Sequence, residues 1–368
     1  MMNKIEHLVG FMLLLVALNA CKGKENAELL TASVDIKTVV AFPLSGITSD
    51  IQSVSLELTD SSLIDINKVH RVLFDDNYIL IQNSGVYSVM LFNRAGKFIR
   101  RLGTMGQGAE EYVNIFDIAA DFENKRVFIA TRRRLICYDF DGNFIRNIPI
   151  RSKGEPSCLN FVDDKLLFIG RDTGGVLNDG TRFFSYSLYK LDDNWQLADS
   201  VELIRVVNPR AAWVQPYNDL ITQCGNETYQ YAFEFNSEPS LRDTLFQLKN
   251  MERIPHLRLD FHASGVDANG ERVIYLQNIY RSSRYVFAYY GLAEQNEYFC
   301  FCYDTKTGKG YSMQDGYKDD VMHDGMIVKM RPFIQNTDKF YYLVTDVAEN
   351  LDSEEEPNPT LYIGTLKK

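Results

Sequence analysis

Short apolar runs of four to eight residues, separated by clusters of Gly, Asn and Asp, predict an all-β fold. The runs gather in fours, and one set of four nearly repeats another. Together these features narrow the class to a six-bladed β-propeller of four-stranded antiparallel blades. Aromatic usage agrees: Tyr 21 and Phe 23 against Trp 2 is a β-leaning choice. Beyond the apolar start of the chain there is no stripe of helical period.

The first residues read as an address. Lys4 gives a positive start, and residues 8–17 (LVGFMLLLVA) form an uncharged apolar run. The run is shorter than the roughly 20 residues of a permanent membrane helix and has the length of a signal-peptide core. Leu18-Asn19-Ala20-Cys21 follows directly and resembles a bacterial lipobox, after which the peptide is cut before the cysteine and the thiol is lipidated. On that reading residues 1–20 are a lipoprotein signal peptide, Cys21 is the lipid attachment site, residues 21–33 are a lipidated tether and residues 34–368 are the propeller. An ordinary signal peptide with a chance cysteine is the rival reading. Lys22-Gly23-Lys24 is not an acidic run, which points to an outer-membrane protein facing the periplasm.

The blades follow in order. Residues 78–81, 86–92 and 98–102 are three strands, entered through Asp75-Asp76-Asn77, Ser84-Gly85 and Ala95-Gly96. The pattern recurs at 126–130, 135–140 and 144–148, with 115–120 ahead as a fourth strand. Gly96-Lys97-Phe98-Ile99-Arg100 returns as Gly142-Asn143-Phe144-Ile145-Arg146, 46 residues later. A third unit runs through 158–161, 165–169, 183–191 and 197–203, with a Gly- and Asp-rich insertion at 171–182. A fourth takes 219–222, 229–235 and 244–248. A fifth takes 257–261, 272–276, 285–290 and 298–303, and a sixth 326–329, 340–345 and 361–366. Stretches near 35–42 and 53–58 are expected to complete a blade or close the ring. One such sheet is apolar on both faces and cannot bury them alone; about six around an axis bury one another and leave few open edges.

Composition bounds the function. A formal net charge of −10 argues against nucleic-acid binding, which needs a basic face. Five cysteines follow Cys21, an odd number that leaves at least one unpaired within a monomer. Cys300 and Cys302, two apart on a strand, point to one side and read as buried core thiols. No CxxC spacing suggests a metal or redox site, and no cofactor is expected.

The stretch from Ile99 through Leu102-Gly103-Thr104-Met105-Gly106-Gln107-Gly108-Ala109-Glu110-Glu111-Tyr112 is a strand ending in Gly, followed by a Gly-rich loop closing on Glu-Tyr. With Leu241-Arg242-Asp243-Thr244-Leu245-Phe246, Pro255 and Leu259-Asp260-Phe261, it resembles the NHL-type six-bladed β-propeller lipoproteins of Gram-negative bacteria. Arg242 and Phe246 depart from the Asn and Tyr common at those positions. The resemblance implies a fold and a location, and no catalytic residue.

Candidate chemistry is thin. Gly103-Thr-Met-Gly106-Gln-Gly108 has the wrong Gly order and context for a phosphate-cradling loop and reads as a connector. Asp139-Phe140-Asp141-Gly142-Asn143 starts like a calcium loop, but Ile150 stands where the twelfth-position Glu belongs, so it reads as a hairpin turn. His70, His256, His262 and His323 lack metal-ligand spacing. Arg132, Arg133 and Arg134 in one turn, and Tyr280, Arg281, Arg284 and Tyr285 around another, could hold an anionic or sugar ligand by bidentate bonds and stacking. The expected function is a membrane-anchored, non-catalytic binding or scaffold propeller. It would hold a protein, peptide or glycan of the envelope on loops at one end of the central channel. The alternative is a lyase or hydrolase with its site at the channel mouth.

Overall fold

A computed structural model describes residues 29–84, 87–150, 155–172, 174–207, 219–232, 240–293, 297–345 and 357–368. Cys21 lies outside them. Among the described residues no helix is long and apolar enough to cross a membrane.

Six sheets, mainly four-stranded and antiparallel, form the six blades. From the axis outward, blade 1 is Val69–Phe74, Tyr78–Asn83, Ser88–Asn93 and Phe98–Arg101; blade 2 is Asp117–Asp121, Arg126–Ala130, Arg134–Asp139 and Phe144–Pro149. Blade 3 is Glu155–Val162, Lys165–Arg171, Arg182–Leu191 and Leu197–Val207; blade 4 is Ile221–Cys224, Glu227–Tyr231, Thr244–Lys249 and Glu252–Asp260. Blade 5 is Ile274–Arg281, Tyr285–Leu292, Glu297–Asp304 and Lys309–Gln314. Blade 6 joins Arg331–Pro332, Lys339–Val344 and Thr360–Leu366 to Thr48–Ser55 from the start of the chain. The pairing of Thr48–Ser55 with Thr360–Leu366 closes the ring. The end carrying the blade-to-blade connectors is the upper face, and the turns between first and second strands lie on the lower face.

Burial explains the sequence pattern. Middle strands such as Ser88–Asn93 are covered on both sides and are apolar almost throughout. The outer strand Phe98–Arg101 carries two arginines and is largely exposed, which guards an open sheet edge. The internal repeat has a local cause. In the turn at Asn93, its Oδ1 accepts from the amides of Ala95 and Lys97 at 3.0 Å each, and Gly96 has φ +83°. In the turn at Asp139, its Oδ1 accepts from Asn143 N at 2.8 Å, and Gly142 has φ +84°. An Asx turn needs the first residue, and the left-handed backbone needs the glycine. The Asp139 loop is thus a hairpin turn.

Several boundaries differ from those read in the sequence. Residues 257–261 are not the first strand of blade 5 but fall largely in the outer strand of blade 4, Glu252–Asp260. Blade 5 ends instead on Lys309–Gln314, whose KGYSMQ has too little apolar character to be seen as a strand. Residues 326–329 are not the inner strand of blade 6; Met326–Val328 pairs with Tyr317–Asp319 in a connector hairpin, and the inner strand is the two-residue Arg331–Pro332. Blade 1 gains Val69–Phe74, where Arg71 interrupts the apolar run.

The chain's start wraps the outer rim. Leu30–Ser33, at the end of the stretch read as tether, pairs in parallel with Glu252–Asp260. Residues 35–43 then run along blade 5, where Val40 N donates to Ser312 O at 2.9 Å and Ser312 Oγ to Asp35 O at 2.8 Å.

Candidate functional site

The axis is where a propeller's inner strands converge, and here they bring four charges together. Arg71 of blade 1 clasps Asp117 of blade 2, its Nε and Nη2 donating to the two carboxylate oxygens at 2.5 and 2.8 Å. Its Nη1 donates to Asp219, just ahead of blade 4, at 3.1 Å. Arg331 of blade 6 donates to the other oxygen of Asp219 at 3.1 Å and to the carbonyl of His70 at 2.7 Å. Asp117 also accepts from Ile118 N at 2.9 Å and, from blade 3, Leu159 N at 2.6 Å. Arg71, Asp117 and Asp219 are 1, 0 and 2 % exposed.

Two guanidinium and two carboxylate groups balance. A lone charge so buried would shed or take up a proton, whereas a paired and hydrogen-bonded one keeps its charge. The two carboxylates accordingly hold the Arg71 pKa above its ordinary value against the pull of burial. His70 goes the other way: burial, opposed by Asp117 and helped by Arg71 and Arg331, takes it down to about 4 and keeps the ring neutral.

Below this quartet the axis is plugged by residues 333–337. Gln335 Nε2 donates to Ala120 O and Phe161 O at 2.8 and 3.1 Å, while Asn160 Nδ2 donates to Ile221 O and Ile334 O at 3.1 and 3.2 Å. Thr337 Oγ1 donates to Arg281 O at 2.5 Å, and Phe333 stacks on Phe74 with centroids 4.2 Å apart. Side chains thus fill the centre, and its ionisable groups are engaged with one another.

The residues picked from the sequence as ligand-holding fall on opposite faces. Arg132, Arg133 and Arg134 occupy the upper turn of blade 2. Arg134 donates to the carbonyls of Ala109, Gly108 and Glu111 at 3.0, 3.0 and 2.5 Å, so it fastens the Gly-rich connector. That connector is a blade-to-blade link: Gly103 has φ +73°, and a Cβ there would lie 2.7 Å from the Tyr112 and Tyr138 rings. Arg132 and Arg133 are exposed. Tyr280, Arg281, Arg284 and Tyr285 sit at the lower turn of blade 5. Arg284 grips Asp304 at 3.0 and 2.7 Å, Tyr280 stacks on Phe287 at 4.9 Å, Tyr285 is buried, and Arg281 contacts His256. The histidines are dispersed: His262 bonds Ser33 and His323 bonds Asp319, each at 2.7 Å. Among the described residues no group of three His, Cys, Asp or Glu is placed to hold a metal. Cys137, Cys158, Cys224, Cys300 and Cys302 are buried and in no disulfide; burial pushes Cys137 and Cys300 up to about 12, away from reactive thiolate.

The described residues form several recesses, one of them over the plug at the lower mouth of the axis. On the lower face Asp75, Asp76, Asp121, Glu123, Asp163 and Asp164 rim a hollow of about 460 Å³. At the upper rim, between residues 36–39 and the top of blade 5, Ile36, Val273, Ile274, Leu292 and Phe299 line a cleft of about 660 Å³ bordered by Lys37, Asp267 and Glu297. Sequence reading missed the axial quartet, although a signal existed: Arg71 and Asp117 are 46 residues apart, the same spacing as the repeated Gly turns.

The molecule is therefore a six-bladed β-propeller whose axis is closed by its own side chains. The chain belongs to the family described as a domain of unknown function, DUF4934, whose model matches residues 30–367. No curated protein matches it. Among similar solved structures is a Bacteroides fragilis NCTC 9343 protein described as exported, with 14 % identity and a TM-score of 0.59 over 92 % of this chain and 100 % of that one. A DUF4221-family member from Bacteroides vulgatus gives 12 %, 0.46, 87 % and 97 %, and a gluconolactonase of Xanthomonas campestris gives 10 %, 0.41, 91 % and 100 %. At such identities the likeness shows the fold, and the last two overlays bear no argument about activity. The resemblance to NHL-type propellers is met at the level of the six-bladed architecture.

Proposed function

We propose that the protein is a non-catalytic binding or scaffold propeller of the cell envelope, exported and held by lipid at Cys21 to the outer membrane on its periplasmic side. The observation that carries the binding reading is the axial pairing of Arg71, Asp117, Asp219 and Arg331. With these charges engaged on each other above a plug, recognition falls to the upper rim. This speaks against a lyase or hydrolase worked from the upper channel mouth. The upper connectors also expose Met105, Val113, Val321, Met326 and Ile327, and the blade 3 insertion exposes Val176; Met105, Val113 and Val176 are 64, 61 and 65 % exposed. Exposed apolar side chains and a concave cleft on one face suit a protein, peptide or glycan partner. Export is supported by residues 8–21 and by the Bacteroides fragilis neighbour described as exported.

Cys21→Ala is expected to move the protein from the membrane to the soluble fraction; unchanged partitioning would remove the anchor from this reading. A panel of envelope peptides and glycans is expected to yield a binder whose affinity drops at least tenfold in Val273→Asp. Equal binding by that variant would place recognition elsewhere.

A further inference from the structure

Across the seam between blades 4 and 5, Arg281 at the end of the blade 5 inner strand contacts His256 on the outer strand of blade 4. The chemistry of the pair fixes its protonation. A guanidinium has donors and no acceptor, so His256 Nε2 must accept from Arg281 Nη1, and an imidazolium cannot accept. The ring is therefore neutral, with its proton on Nδ1. Tyr229 lies beneath both, its ring 4.9 Å from that of His256 and 5.4 Å from the Arg281 guanidinium carbon. Glu227 supplies the local negative charge and is itself occupied, accepting from Tyr229 Oη at 2.5 Å and from Gln247 Nε2 at 2.8 Å.

We propose that the His256–Arg281 contact is an acid-released pin between blades 4 and 5. A proton on His256 removes the hydrogen bond and sets a second cation against Arg281. The groups facing the ring then compete: Arg281 and Lys249 oppose the new charge, Glu227 favours it, and Tyr229 is neutral. Burial, then Arg281, already hold His256 below its ordinary range. The sign follows. Above about pH 6.5 the ring is neutral whether the seam is shut or open. As pH falls below that value the open seam takes up the proton first, so opening gains about tenfold per pH unit until the closed seam titrates too. The upper-rim cleft spans the same blade boundary, since Ala263, Ser264, Val273 and Ile274 lie in or beside the connector joining the two blades. Release of a ligand on acidification would follow from the pin; that consequence rests on the cleft being the binding site, whereas the pin does not.

Amide hydrogen exchange on the folded protein, resolved for Glu252–Asp260 and Ile274–Arg281, tests this between pH 7 and pH 5, after correction for the intrinsic pH dependence of exchange. The expected result is a loss of protection in these two strands at least tenfold beyond any loss in the middle strands of blades 1 and 2. His256→Gln keeps a neutral acceptor for Arg281 at every pH and should abolish that loss. The same loss in His256→Gln overturns the proposal. Should that variant fold poorly, Arg281→Met is followed by NMR titration of His256, whose pKa should rise towards 6.5; no movement also overturns it.

Discussion

The axis buries an arginine and the seam between blades 4 and 5 half-buries one, yet they handle it differently. At the axis Arg71 meets two carboxylates, and Arg331 shares one of them, so charge is balanced by charge. At the seam Arg281 leans on a neutral imidazole and an aromatic face, with Glu227 already accepting from Tyr229 and Gln247. The first arrangement holds over any pH at which the carboxylates stay ionised. The second holds only while His256 lacks a proton. Burial sets how much an interaction matters, and the partner's chemistry sets when it fails.

Breaking the balanced pole should produce the largest effect. Arg71→Met leaves Asp117 buried without a guanidinium and Asp219 with Arg331 alone, and is expected to cost about 3–5 kcal/mol in chemical denaturation at pH 7. A loss below about 1 kcal/mol would mean that the axis is wetter than the geometry shows. Asp219→Asn leaves Asp117 to hold Arg71 and deprives Arg331 of its carboxylate, for a smaller cost of about 2–3 kcal/mol by the same measurement. Smaller again is the contribution of His70, which belongs to the axis in space and to the seam in behaviour. Its folded pKa of about 4 lies below the ordinary 6.5. The stability it supports is complete above pH 6.5 and is lost as pH falls through 4. Because solvent reaches part of the ring and screens it, the loss should be about 2 kcal/mol at most. Denaturation midpoints at pH 7, 5.5 and 4.5 should show a slope that His70→Gln flattens; an unchanged slope would assign the acid sensitivity to the seam alone.

Legibility followed locality. Middle strands such as Tyr78–Asn83 and Arg126–Ala130 were readable because each blade face is covered, which forces apolar residues at nearly every position. Boundaries failed where that pressure is absent, as in Lys309–Gln314 at an outer edge. They failed again where an apolar run serves a connector, as in Met326–Val328. The candidate residues fared less well. Arg132–Arg134 and Tyr280–Tyr285 stood out as clusters along the chain, but clustering in sequence placed them on opposite faces, where Arg134 and Arg284 serve the fold. Arg71 and Asp219, isolated in apolar company and 148 residues apart, were the ones brought together.

The sequence by itself determined the strand content, the turn positions and the repeat. These depend on short apolar runs, on Asx side chains and on the few glycines that must take a positive φ, all of which can be read within a hairpin. Tertiary structure alone decided which strand closes the ring, what fills the axis and which arginine meets which acid. Those contacts join residues from different blades, and their energy comes from mutual desolvation, which exists only once the sheets have packed.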